Sequence, residues 1–382
     1  MANTLNLGNG DWATKENSLL GYNSENGNYK PLPFDFTRAS SATVVNKSGL
    51  IETAANGVPR IDFLGNTSGA LLLEPQRSNL INYSSDFSNA VWAKNGALIA
   101  TANASTSPSG ETDSTLLYNT GNENRISQNI SVVSGNSYTM SVYLRNNGGN
   151  NTITFEAIGY SSQSITINND WARYDYTITA TSTASVQFRF LSFDNNINLY
   201  AWGAQVEQGS YSTSLINTQG SAVTRVADVC TNGGNDQVIN STEGVLYAEI
   251  SALADDGGNR RISLNDGSDN NRINLMFTSV SNQIVCNYKA NGTTRVSLST
   301  TSYSVIDINK IAFKWKLGDF QLFVNGVKIS TDNNTIMINA NALNTIDFRD
   351  GNALFPFFGK TKDVRVYNTA LTDAELAALT TI

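Results

Sequence analysis

In SYTMSVYLRN, residues 137–146, Tyr138, Met140, Val142 and Leu144 recur at every second position, and Ser137, Thr139, Ser141 and Arg145 stand between them. Side chains alternate across a strand, so this spacing puts an apolar set on one face and hydroxyls and charge on the other. A helix, with its period of about 3.6, cannot do this. The same two-residue period runs through TITFEAIG, ARYDYTIT, SVQFRFLSF and NLYAWGAQVEQG, with no helical pattern between them. Successive strands of this kind pair antiparallel and bury one face each, which predicts a sandwich over residues 83–216. The 29 glycines and the many Asn, Ser and Thr residues suit the polar turns that such strands require.

A second sandwich is predicted over 240–382. GVLYAEISAL, RISLND, RINLMFTS and QIVCNYKA are strand-like, and KIAFKWKLG sets Ile311, Phe313, Trp315 and Leu317 against Ala312, Lys314 and Lys316. Asn325-Gly326 in FQLFVNGVKIS marks a hairpin, because a type I′ turn needs positive φ at both central residues. In ALTDAELAAL, Thr372 and Glu375 form a capping box and Leu371 and Leu376 a hydrophobic staple, so the chain closes on a short helix packed as a lid. The rest is turn-rich. Residues 1–35, with two prolines near their end, read as an attachment arm. Residues 36–82 read as a lead-in subdomain or edge strands, and 217–239 as a linker. The expected fold class is all-β: two antiparallel β-sandwich domains with an extended N-terminal arm.

The chemistry open to the chain is narrow. It has no histidine, which removes Ser-His-Asp and Cys-His pairs. No lysine has a serine three residues before it, and no Gly-x-Ser-x-Gly occurs. GNGDWA at 8–13 and FGKT at 358–361 imitate phosphate loops without the strand, helix or glycine that such loops need. A sandwich glycosidase would need paired acids, yet the one E-x-D, Glu111 with Asp113, sits in a predicted loop with no Glu following. The chain is therefore read as no enzyme. A net charge of −7 and a pI near 4.8 exclude a nucleic-acid or anionic-membrane footprint. Cys230 and Cys286 are read as packed thiols. The N-terminus lacks a signal-peptide pattern and no apolar run approaches about 18 residues, so a soluble protein made in a cytosol is expected.

Two kinds of candidate site remain. Sugar rings stack on aromatic faces; Trp202 and Trp315 read as core, whereas Trp92, Tyr160, Tyr211 and Tyr303 lie near strand ends and are better placed for exposure. ADDGGNRR and NDGSDNNR concentrate Asp, Asn and Arg in turns on either side of one short strand, hence at opposite rims. The rim with Asp266, Asp269 and Asn270 is the preferred glycan site, and its oxygens leave room for a structural calcium. No cofactor is expected.

Three phrases give the chain a family likeness: residues 36–63 (FTRASSATVVNKSGLIETAANGVPRIDF), 69–96 (GALLLEPQRSNLINYSSDFSNAVWAKNG) and 200–229 (YAWGAQVEQGSYSTSLINTQGSAVTRVADV). In this order they resemble a block of tailed-bacteriophage tail-fibre, spike and head-fibre proteins with a carbohydrate-binding-module-like jelly roll. LNLGNGDWATKENSLLGYN resembles the opening of phage virion proteins, and 240–382 resembles a concanavalin A-like or laminin-G-like lectin sandwich. The resemblance implies a virion protein assembled in the host cytoplasm and contacting other virion proteins and host glycans. It also implies a homo-oligomer, with a trimer the usual symmetry. A capsid decoration, collar or adaptor without a ligand is the alternative. In this reading Arg38 is structural, satisfying carbonyls or a carboxylate in a close-packed lead-in.

Overall fold

The computed structural model describes residues 3–29, 32–119, 121, 124–194 and 196–382. The chain divides into two compact units, and each draws on separated stretches of sequence. One comprises Met1–Ser41, Ala54–Pro75 and Ala227–Ile382; the other comprises Ala42–Thr53 and Gln76–Val226.

In the first unit the described residues form an eight-stranded sheet whose main path runs Val327–Asp332, Phe320–Val324, Asn309–Lys316, Glu243–Ala252, Gly359–Tyr367, Ala70–Leu73 and Ile61–Asp62. A five-stranded sheet of Thr293–Thr300, Ile284–Ala290, Arg272–Phe277, Arg260–Asn265 and Thr345–Asp347 shares its core. Ile311, Phe313 and Trp315 point into that core as their alternation predicts, but the strand ends at Lys316 and Leu317 is 60% exposed. Asn325 and Gly326 have φ of 51° and 83° and join Val324 to Val327, the hairpin read from sequence. Helix Asp373–Thr380 has the predicted capping box, with Leu371 and Leu376 buried together.

The N-terminal stretch is no arm. Met1, Ala2, Lys30 and Pro31 lie outside the described residues, but Leu5–Gly8 pairs antiparallel with Gly359–Tyr367, Leu5 opposite Val366 and Leu7 opposite Val364. Leu5, Leu7, Leu19, Leu32 and Phe34 are buried in the core of this unit. The alternation in LNLG is too short to register as a pattern, and only its partner strand completes it. The expected lead-in at 36–82 is likewise divided: residues 42–53 and 76–82 belong to the second unit, and 36–41 and 54–75 to the first. Nor is 217–239 a free linker. Val223–Arg225 pairs with Arg77–Asn79, Val229–Thr231 pairs with Pro33–Thr37, and Val238 and Ile239 are core residues.

Arg38 is structural, as expected, and it has company. Its Nη1 donates to Asp228 Oδ1 at 3.0 Å, its Nε to the Ser40 carbonyl at 2.9 Å and its Nη2 to the Ala55 carbonyl at 2.7 Å. Arg60 donates to Glu74 Oε2 at 2.6 Å and to the second oxygen of Asp228, which also accepts from the Glu74 amide at 2.8 Å. Both guanidinium groups and the Asp228 carboxylate are fully buried. Burial works against the Arg60 charge, but Glu74 and Asp228 outweigh it and hold its pKa above the ordinary arginine value. The network ties Arg38, Arg60, Glu74 and Asp228 from three distant stretches into one point.

The second unit is a sandwich of two five-stranded antiparallel sheets among the described residues. One runs Ala93–Asn95, Asn124–Val132, Ala184–Asp194, Thr152–Ala157 and Gln163–Thr166; the other runs Leu98–Ser105, Ser114–Asn119, Asn198–Gln208, Ser137–Asn146 and Ala172–Thr179. Tyr138, Met140, Val142 and Leu144 face the core between them, as their period requires.

Candidate functional site

The sheet that contains Asn198–Gln208 carries a β-bulge. Against Ser137–Asn146, Ser141 faces Gln205 and Tyr143 faces Trp202, so two steps on one strand match three on the other. Gly203 sits at the irregularity with φ of 63°. A Cβ there would come within 3.1–3.3 Å of Leu215 and Tyr143 side-chain atoms, so glycine answers both the backbone and the packing. The bulge resets the alternation. Leu199 and Ala201 face the core before it and Ala204 and Val206 after it, which leaves Trp202 on the opposite face, against Tyr143 with ring centroids 5.6 Å apart. Its indole donates to Asp113 Oδ2 at 3.0 Å, while Asp113 Oδ1 is buried without a hydrogen-bond partner.

Trp202 and Asp113 border a cleft of about 670 Å³, within the size range of small-ligand sites. Hairpin residues Thr43 and Ile51–Thr53 form one wall, Tyr83–Asp86 and Asn217–Gln219 form another, and Ala102, Asn103, Ser109 and Thr115 complete the lining. The walls are tied down. Thr43 Oγ1 donates to the Leu215 carbonyl at 2.6 Å, the Thr218 amide to Ser84 Oγ at 2.9 Å, and Thr218 Oγ1 to the Ile81 carbonyl at 2.6 Å. Tyr83 holds a left-handed φ of 54°, which a bulky residue adopts at a cost in strain. Its amide donates to the Gln219 carbonyl at 2.7 Å, and its own carbonyl accepts from the Trp92 indole at 3.0 Å.

The lining is chemically biased. Seven serine and threonine hydroxyls, three amides and the carboxylates of Glu52, Asp86 and Asp113 surround it, with the Tyr83 phenol and the edge of a buried Trp202, 2% exposed, and no Lys or Arg. Part of each acid is already engaged: Asp86 Oδ1 accepts from the Ser88 amide at 3.0 Å and Glu52 Oε2 from Asn46 Nδ2 at 2.9 Å. Such a set offers acceptors, and hydroxyls that act either way, around a space suited to a polyhydroxylated molecule.

Trp92, Tyr160, Asp266, Asp269 and Asn270, the residues expected to form the site, do not line this cleft. Trp92 is buried, 3% exposed, between Phe87 and Phe190 at centroid distances of 4.8 and 6.3 Å. It positions Tyr83 and lines no part of the cleft. Tyr160 packs against the jelly-roll core, and its hydroxyl accepts from the Thr181 amide at 3.2 Å. At the expected rim, Asp266 Oδ1 accepts from the Ser268 amide at 3.0 Å and Oγ at 2.6 Å, and its Oδ2 from Asn271 Nδ2 at 2.8 Å. Asp269 pairs with Arg272 through one oxygen and with Lys289 through the other at 2.5 Å. The Lys289 hydrogen bond first, and then the nearby cations, hold its pKa below the usual carboxylate value. Asn270 is exposed, and its amide donates to Ser268 Oγ at 3.0 Å. The rim acids shape their own turn. Among the described residues no three Cys, Asp or Glu side chains converge as a metal-binding group.

What sequence reading missed is mainly the walls at 43–53, 83–86 and 217–219; Trp202, read as core, is buried and also borders the cleft. Asp113 was noticed only as half of an acid pair. The usable signal lay in NLYAWGAQVEQ: the apolar parity at Leu199 and Ala201 excludes Trp202, and a glycine follows it.

Residues 236–377 match the model of the Concanavalin A-like lectin/glucanases superfamily, in agreement with the lectin-like sandwich expected there. No curated protein matches the chain. Among solved structures it is similar to the CBM40 of the Ruminococcus gnavus IT-sialidase bound to alpha2,3 sialyllactose, with TM-score 0.33 and 19% identity over 39% of this chain and 93% of that one. Domain 4 of AbnA, a GH43 extracellular arabinanase from Geobacillus stearothermophilus in complex with arabinotriose, is matched with TM-score 0.34 and 13% identity over 45% of this chain and 83% of that one. The CBM22-1 xylan-binding domain of Paenibacillus barcinonensis Xyn10C is matched with TM-score 0.26 and 12% identity over 35% and 94%.

Proposed function

We propose that the chain is a non-enzymatic glycan-binding protein of a tailed-bacteriophage virion, a fibre or appendage component that attaches to host-surface glycans through the jelly-roll cleft. The observation that carries the glycan reading is the cleft itself: a fixed-wall space of about 670 Å³ lined by hydroxyls, amides and carboxylates around Trp202. Sugar hydroxyls are both donors and acceptors, and this lining offers partners for each. The lectin-type family model over 236–377 supports the same class of ligand in the other unit.

The virion assignment rests on the three phrases at 36–63, 69–96 and 200–229. Their charged residues Arg38, Arg60, Glu74 and Asp228 make one buried network, which gives those phrases a structural reason to occur together. Binding at each cleft would be weak, and a homo-oligomer, a trimer by resemblance, would supply avidity. The lack of histidine and of an E-x-D pair followed by Glu in the sequence favours binding over hydrolysis.

The test is a host-glycan array with the full chain and an Asp113→Ala variant of unchanged melting temperature, together with an assay for released reducing sugar. Binding by the wild type that falls at least 10-fold in the variant, without sugar release, is the expected result. Sugar release would make the protein an enzyme, and no binding to any host glycan would favour a purely structural capsid, collar or adaptor role.

A further inference from the structure

The charge of the cleft allows its ligand class to be narrowed, on the premise that the cleft binds glycan. We infer that it takes uncharged sugar residues and turns away anionic ones, such as sialic acids, uronates and sulfated or phosphorylated sugars. Glu52, Asp86 and Asp113 all line the space, and no lysine or arginine does. Carboxylates accept hydrogen bonds and cannot donate them, so each calls for a donor from the ligand. A sugar hydroxyl supplies one. An anionic substituent brings further acceptors and like charge into a cleft that already carries three carboxylates, and both effects oppose its entry.

Lys94 tests this electrostatic argument. Asp86 acts on it electrostatically, but Lys94 is not part of the lining, and its three N–H donors are shared among the carbonyls of Phe87, Ser88, Asn89 and Trp92 at 3.0–3.2 Å. Burial lowers its pKa from the ordinary lysine value, with Asp86 acting in the opposite direction. Its donors are committed to backbone, so it offsets part of the Asp86 charge without offering a clamp for an anion. Asp113 has a different partner: the Trp202 indole satisfies Oδ2, and the buried Oδ1 lacks a donor.

The experiment titrates the full chain by calorimetry with neutral oligosaccharides and with their sialylated and uronate-bearing counterparts, at low and at moderate salt. Asp113→Asn is the site reporter, since it keeps the shape of the side chain and removes its charge. Neutral sugars should bind at least 10-fold tighter than acidic ones at low salt. The gap should narrow as salt rises, and Asp113→Asn should weaken neutral binding while reducing the discrimination. Acidic sugars bound as tightly as neutral ones, with binding sensitive to Asp113→Asn, would overturn this inference and leave the glycan-binding reading standing. Binding indifferent to Asp113→Asn, or no binding of either class, would overturn the cleft as the glycan site and this inference with it.

Discussion

In the lectin-like unit Asp228 meets two arginines and a backbone amide, whereas in the jelly-roll unit Asp113 meets one indole and keeps an oxygen without a partner. The contrast extends beyond these two residues. Lys360 and Lys362 border a groove of about 340 Å³ in the lectin-like unit, but they pair with Asp62 at 2.8 Å and Glu249 at 3.0 Å. Asp269, a preferred site residue by sequence, is held by Arg272 and Lys289. Polar groups satisfied by one another hold a scaffold together and have little left for a ligand. In the jelly-roll cleft Thr43, Ser84, Thr115 and Thr218 bond to backbone carbonyls, but other hydroxyls and three carboxylates line the space. Polar richness in a sequence therefore does not locate a site; the degree to which the fold has already satisfied those groups does.

The sharpest way to break this comparison is to remove residues 1–35. An attachment arm would be dispensable for folding, whereas these residues contribute Leu5, Leu7, Leu19, Leu32 and Phe34 to the lectin-like core. At roughly 2 kcal/mol for each buried side chain the loss approaches about 10 kcal/mol, comparable to the whole stability of a domain. Calorimetry should show no cooperative transition for the lectin-like unit in the truncated chain. A transition of native size would restore the arm.

Next in size is Asp228→Ala, which leaves Arg38 and Arg60 buried without their shared counter-ion. A loss of about 3–5 kcal/mol in denaturant unfolding is expected. A loss under about 1 kcal/mol would mean that the network is not what holds the three stretches together.

Asp363 offers a pH-dependent test within the same unit. Burial pushes its pKa up to about 6, although Arg365, 2.6 Å away, works against the shift. A carboxyl whose folded pKa lies above its unfolded value binds more protons when folded, so its contribution favours the folded state on the acid side and is lost as pH rises through about 4 to 6. Asp363→Asn should flatten this segment of the stability curve, a change on the order of 2–3 kcal/mol between pH 4 and 7. An unchanged pH profile would show that Asp363 titrates normally.

The smallest effect should come from Asp269→Ala, a pair whose carboxylate is 41% exposed. Stability should fall by less than about 1 kcal/mol and glycan binding should not change. A binding loss would return the site to the rim.

Much of the architecture was legible from local pattern. Alternation at Tyr138–Leu144 and Ile311–Trp315, the positive-φ pair Asn325-Gly326 and the capping box at Thr372 each concern residues close in sequence, where backbone geometry alone sets the outcome. The structural role of Arg38 followed from the family resemblance of residues 36–63. The rest of its network, Arg60, Glu74 and Asp228, was not legible, because these residues stand 22, 36 and 190 positions further on and carry no local mark. The cleft was hidden for the same reason. Its walls come from residues 43–53, 83–86, 102–115 and 217–219, and its floor depends on a bulge at Gly203 that turns Trp202 away from the core. Sequence by itself determined which segments are strands, because that choice depends on side-chain period and turn chemistry within a few residues. Which strands share a core, which charges meet and which acceptors stay open were decided by tertiary structure, because pairing between distant segments depends on packing and hydrogen-bond completion across the whole unit.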